Sequence, residues 1–154
     1  MKKRIDTSSL DGVIELPEPP QKKDCTRVTF KLPKASTKAM QEQMILNDYG
    51  FREKTKWIIE ALELFLDNER TPYRKQMIID CEGLRNKDSQ HTILLPNDLW
   101  RRAWHESISA ALFGANHEPP DYIDPSVPLV IMAAVIRRIT VERLEFCTFS
   151  DSAT

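Results

Sequence analysis

Glycine is scarce in this chain, four residues in 154, and none of the four belongs to a Gly-rich loop leading to a phosphate-gripping lysine. A nucleotide-binding reading therefore has no anchor. Cysteine is equally sparse. Cys25, Cys81 and Cys147 are odd in number, far apart, and without a Cys-x-x-Cys pair or a histidine at ligand spacing, so neither a disulfide framework nor a zinc site is expected. There is no nucleophile elbow and no pair of carboxylates in a recognisable catalytic setting. His105-Glu106 lacks the second histidine, four residues after the first, that a metalloprotease helix requires. The expectation is a non-enzyme without cofactor or metal. Long apolar runs are missing too: Val127 to Ile136 is the longest, well short of the roughly 18 residues that suggest a membrane span. The basic start, Met1-Lys-Lys-Arg4, has no apolar stretch of the kind a secretory signal needs, so a cytoplasmic protein without membrane contact is expected.

Net charge is close to zero, −1 over the chain, which seems to argue against a polyanionic partner. The average conceals a division. Residues 21–56 carry nine Lys or Arg against four Asp or Glu, a net of +5, whereas residues 57–154 carry ten against fifteen, a net of −5. One end of the molecule is a candidate cationic footprint.

Residues 1–22, with Leu16-Pro-Glu-Pro-Pro20 and no apolar periodicity, read as an extended arm. In Thr26 to Leu32 the pattern alternates: Val28, Phe30 and Leu32 on one face, Arg27, Thr29 and Lys31 on the other. That is a half-buried strand. Pro33 follows, well suited to a helix start, and a helix is expected from Lys34 to Asp48 with Met40 and Met44 on one face and Tyr49-Gly50 as its stop. A second helix from about Glu53 carries Trp57, Ala61, Leu64 and Phe65 on one stripe, flanked by Ile58, Leu62 and Leu66, and ends before Pro72. Beyond it, Gln76 to Asp80 reads as a short strand and Glu82 to Asp88 as a polar loop.

The opening pattern then recurs. Gln90-His-Thr-Ile-Leu-Leu-Pro96 lies over Arg27-Val-Thr-Phe-Lys-Leu-Pro33 without a gap, and a helix pattern again follows the proline. That helix shows Trp100, Ala103, Trp104, Ser107, Ala111 and Leu112 at helical spacing, which makes both tryptophans core or interface anchors rather than stacking platforms. Gly114 to Pro120 breaks the chain. A helix from Ser126 to Thr140 holds the most apolar stretch, in which Val130 to Val135 aligns with Trp57 to Leu62. Arg143 to Phe149 reads as a closing strand, and residues 150–154 as a disordered tail. His91 and His117 receive no role.

The order strand, Leu-Pro, helix, Tyr-Gly turn, helix over Arg27 to Leu66 resembles the ribbon-helix-helix family of Arc- and MetJ-type repressors. Two copies in one chain also resemble the TraY-type proteins of DNA-transfer systems. The resemblance implies an α+β, mainly α fold with tandem units at 23–70 and 89–149, joined by a connector at 71–88. It also implies a two-stranded antiparallel ribbon and four main helices. It implies double-stranded DNA as partner, read in the major groove by the ribbon, with the start of each second helix on the phosphates. A plasmid or mobile-element transcription regulator is the first functional expectation. An accessory factor at a transfer origin is the second, and a protein-interaction module without DNA the third.

Side-chain chemistry fits the same roles. Arg27 and Lys31 can donate to guanine O6 and N7, and Thr29 offers a hydroxyl and a methyl. In the second copy Gln90 can pair with adenine, Thr92 can reach a base edge, and Leu94 offers apolar contact alone. Lys34, Lys54, Thr55 and Lys56 are the candidate phosphate contacts, although Lys54 and Lys56 equally suit a solvated helix face. The second copy lacks these cations and places Asp124-Pro-Ser126 at the matching helix start. The two units either pair within one chain as a pseudo-dimer or the first pairs between two chains as a homodimer, with transcription or transfer machinery as further partners.

Overall fold

A computed structural model describes residues 24–50, 52–68, 71–84 and 89–153. The arm at 1–22 and most of the polar loop at 85–88 lie outside the described residues. The fold is α+β and mainly helical. In chain order it comprises β1 (Cys25–Leu32), α1 (Lys34–Leu46), α2 (Lys54–Asn68), α3 (Thr71–Cys81) and a 3₁₀ turn (Glu82–Leu84). These are followed by β2 (Ser89–Pro96), α4 (Asn97–Ala115) and α5 (Val127–Ala153). Five α-helices, not four, thus occur among the described residues.

The two strands form one antiparallel ribbon, drawn from a single chain. Alternation decides its faces. Val28, Phe30, Leu32, His91, Ile93 and Leu95 are buried on the inner side, while Arg27, Thr29, Lys31, Gln90, Thr92 and Leu94 are exposed on the outer side. A slip of one residue would turn every apolar side chain to solvent, so the register is strongly specified. It sets Thr29 opposite Thr92, Arg27 opposite Leu94 and Lys31 opposite Gln90.

Each strand passes directly into a helix through its proline. Pro33 and Pro96 precede α1 and α4 with extended backbone (ψ 146° and 139°), where the missing N–H removes no helical bond. Helix α1 stops differently from the expectation. Asp48, not Gly50, takes the left-handed conformation (φ 62°), with Tyr49 N–H donating to the Met44 carbonyl and Asp48 N–H to that of Ile45. This is a Schellman closure. Gly50 serves the next element instead, its N–H donating to the Glu53 carboxylate at the entrance to α2.

Under the ribbon, α2 buries Trp57, Ile58, Ala61, Leu62 and Phe65, and it packs along α5. Leu129 to Val135 of α5 are buried on every side, which makes this helix the axis of the core and explains its lack of a polar face. At about 25 cal/mol per Å² of apolar surface removed from water, such an element is a principal source of folding free energy.

Three expected elements are replaced. The strand read at Gln76 to Asp80 is the second half of α3, whose Ile78, Ile79 and Cys81 face the core. Pro72 sits in its first turn, so it separates two helices rather than opening a loop. The strand read at Arg143 to Phe149 and the tail from residue 150 are the continuation of α5 to Ala153, because no glycine or proline after Pro128 ends that helix. In α4 the buried stripe is Leu99, Ala103, Ser107, Ala110 and Gly114; of the residues expected there Ala103 and Ser107 lie on it, whereas Ala111 is half-buried and Leu112 exposed. Trp100 and Trp104 are half-buried on the flank of that stripe, stacked with centroids 5.9 Å apart.

Helices α3 and α4 are joined by a largely buried Arg74–Glu106 ion pair at 2.9 Å, and in the loop just after α4 His117 sets Nε2 2.7 Å from Gln76 Oε1 of α3. Gly114 lets the loop after α4 cross closely. A Cβ there would stand 2.2 Å from the Asp121 carbonyl oxygen, and the Asp121 N–H donates to the Gly114 carbonyl.

Candidate nucleic-acid interface

Beyond a terminal Cys25–Pro96 row, the outer face of the ribbon carries three cross-strand rows: Arg27–Leu94, Thr29–Thr92 and Lys31–Gln90. All six side chains are exposed. In the central row the two hydroxyls meet at 3.0 Å. Arg27 and Lys31 form no ion pair among the described residues, so both cations face solvent. The fold thus brings the five candidate base-reading residues, Arg27, Thr29, Lys31, Gln90 and Thr92, onto one surface. Beside them at the start of α1, Lys34 is exposed as well.

The candidate phosphate site at the start of α2 is more tied down than its sequence implies. Trp57 N–H donates to the Glu53 carbonyl, which leaves the amides of Lys54, Thr55 and Lys56 facing out of the helix end. The lysine side chains, however, have protein partners. Lys54 Nζ lies 3.3 Å from His91 Nδ1, and Lys56 Nζ lies 3.5 Å from Glu53 and 6.0 Å from the Tyr49 ring centre. The Glu53 carboxyl is held below its ordinary range, chiefly by the Gly50 N–H it accepts, so an anion already stands at this helix entrance. Alongside runs an open groove of about 640 Å³ lined by Gln41, Met44, Ile45, Arg52, Lys54 and Thr55 among others. Exposed Arg52 adds a cation to this groove beyond the phosphate contacts expected from sequence, and its place just after the Tyr49-Gly50 turn is the signal that marks it.

His91 received no role from sequence, yet it links three elements. It is buried on the inner face of β2, stacks on Phe30 of β1 (centroids 5.4 Å apart), and sets Nε2 3.1 Å from the Thr37 hydroxyl of α1. A lysine ammonium can only donate, so Nδ1 accepts from Lys54 and the imidazole proton resides on Nε2, where it donates to Thr37. Burial, reinforced by the Lys54 charge, pushes the imidazole below its usual value. The residue is neutral, and it aims Lys54 from beneath the ribbon.

The start of α5 is built otherwise. The Ser126 hydroxyl accepts the Leu129 N–H at 3.3 Å, the Val130 N–H donates to the Ser126 carbonyl, and Pro128 has no N–H to offer. Val127 and Leu129 are buried. Where α2 presents Lys54, Thr55 and Lys56, the aligned positions here are Val127, Pro128 and Leu129. This helix end presents no cation at the aligned positions, and of its first amides that of Leu129 is taken by Ser126 while Pro128 has none.

Comparison with known proteins found no matching family model, no matching curated protein and no matching solved structure. Among the described residues no cluster of three metal-ligating side chains occurs, and no helix is long and apolar enough to cross a membrane.

Proposed function

We propose that this chain is a sequence-specific double-stranded DNA-binding protein, a tandem ribbon-helix-helix unit whose two strands make one ribbon that enters the major groove. The single observation that carries the proposal is the register. The gapless overlay of residues 27–33 on 90–96 matches Thr29 with Thr92, and Thr29 pairs with Thr92. Strands related in this way have a local two-fold at their centre, the symmetry that two ribbon-helix-helix units acquire when they dimerise. A two-stranded ribbon fits the groove, and the outward side chains of its three inner rows are hydrogen-bonding or cationic apart from Leu94.

Arg27 and Lys31 supply donors for guanine, Gln90 for adenine, and Lys34 with the amide end of α2 holds the backbone. The proposed role is control of transcription from an operator on a plasmid or other mobile element; marking a transfer origin would use the same face. Selection of bound duplexes from a random pool tests the proposal, with the wild type beside Arg27→Ala/Lys31→Ala. The expected result is an enriched motif that the double variant loses. No enrichment by the wild type would overturn it.

A further inference from the structure

The local two-fold of the ribbon is exact in register and broken in chemistry. Overlaying one strand on the other matches Arg27 with Gln90 and Lys31 with Leu94, leaving the threonines as the only identical outward pair. We infer that the ribbon reads a non-palindromic site in which Leu94 is a specificity-determining residue that recognises a thymine methyl group. This rests on the duplex-binding reading above.

Three observations converge on it. First, Leu94 lies on the outer face, one row away from the central threonines and 39% exposed, and the core has no claim on it because its neighbours Ile93 and Leu95 are the buried ones. Second, it stands directly across the ribbon from Arg27, so the two reach neighbouring base pairs. A guanidinium pairing with guanine O6 and N7 beside an isobutyl group over a thymine C5-methyl forms one composite reader. The opposite row, Lys31 with Gln90, joins an ammonium for guanine to a carboxamide able to bond adenine N6 and N7. Third, the two helix ends repeat the inequality. The start of α2 has outward amides and exposed Arg52, with Lys54 and Lys56 held close by His91 and Glu53, whereas the start of α5 has no cation at the aligned positions and turns Ser126 and Pro128 toward its own first turn. One flank of the site is gripped more firmly than the other, which fixes the direction in which the protein sits on DNA. In the central row Thr29 and Thr92 spend part of their hydrogen-bonding capacity on each other, so the two ends rather than the middle carry the discrimination.

The test compares duplex selection by the wild type and by Gln90→Arg/Leu94→Lys, which makes the outward residues of both strands Arg, Thr and Lys. All the altered positions are exposed, so the fold is retained in both proteins. The wild type is expected to enrich an asymmetric motif and the variant a motif that is palindromic under the ribbon. A second arm replaces the thymine next to the Arg27-dependent guanine by deoxyuridine, which removes the methyl alone. Wild-type affinity should drop about 3- to 5-fold, the value of one buried methyl, and Leu94→Ala should not distinguish the two duplexes. A palindromic wild-type motif, or equal wild-type affinity for thymine and uracil duplexes, overturns the inference while leaving duplex binding intact. Absence of any wild-type motif overturns the duplex reading itself.

Discussion

Lys54 Nζ donates to His91 Nδ1 across 3.3 Å, so the entrance of α2 is latched to the underside of the ribbon by a bond that exists only while the imidazole is neutral. Protonation would face an imidazolium with an ammonium. The folded state therefore holds His91 below its ordinary 6.5, through burial first and Lys54 second. Since the unfolded chain binds this proton more readily, the contribution to stability is full above about pH 6.5 and is lost as pH falls below it. Denaturant midpoints measured between pH 7.5 and 5.5 should decline. The decline should be shallower in His91→Gln, which cannot titrate.

Asp48 bears the left-handed position that ends α1. Glycine adopts that conformation without a side-chain penalty, so Asp48→Gly should stabilise the protein by about 1 kcal/mol. For a chain of this size that corresponds to a rise in Tm of roughly 2–4 °C. Gly50→Asp, which puts a carboxylate against that of Glu53, should act in the opposite direction.

Gly114→Ala should be costly for a chain with so few glycines. The added carbon would meet the Asp121 carbonyl and then the Ile79 side chain, 3.1 Å away, so a backbone segment has to shift. A loss of about 1–3 kcal/mol is expected, the range of overpacked interiors. Urea unfolding of the variant measures it.

Arg27→Ala/Lys31→Ala should separate folding from binding. Both residues are exposed and free of ion pairs among the described residues, so the midpoint of unfolding should stay within about 0.5 kcal/mol of wild type. Affinity for the selected duplex should fall by at least 10-fold, at about 1–3 kcal/mol per lost base contact. Wild-type affinity should also drop steeply between 50 and 200 mM salt as phosphate neutralisation releases counterions.

Much of the ribbon was legible in the sequence, because alternation of Val28, Phe30 and Leu32 with Arg27, Thr29 and Lys31 has one structural solution and the Leu-Pro repeat marks its second strand. What escaped was decided by packing. Ile78 and Ile79 are adjacent, a pattern that helix and strand share, and only their burial beneath α4 and α5 distinguishes them. Leu144, Phe146 and Thr148 alternate in sequence, yet they continue a helix already nucleated by the apolar core of α5. The stop at Asp48 was hidden by the neighbouring Gly50, the residue that usually takes such a conformation. His91 carried no local signal at all, since its three contacts, Phe30, Thr37 and Lys54, come from elements distant in sequence.

Both strands of the ribbon belong to one polypeptide, and this has a kinetic consequence. Closure of the ribbon is a first-order event, with each strand meeting the other at the millimolar effective concentration of a tethered pair. Formation of the ribbon is then independent of how many copies the cell holds. Each half can also diverge without carrying its twin along, since a change at residue 94 leaves residue 31 untouched.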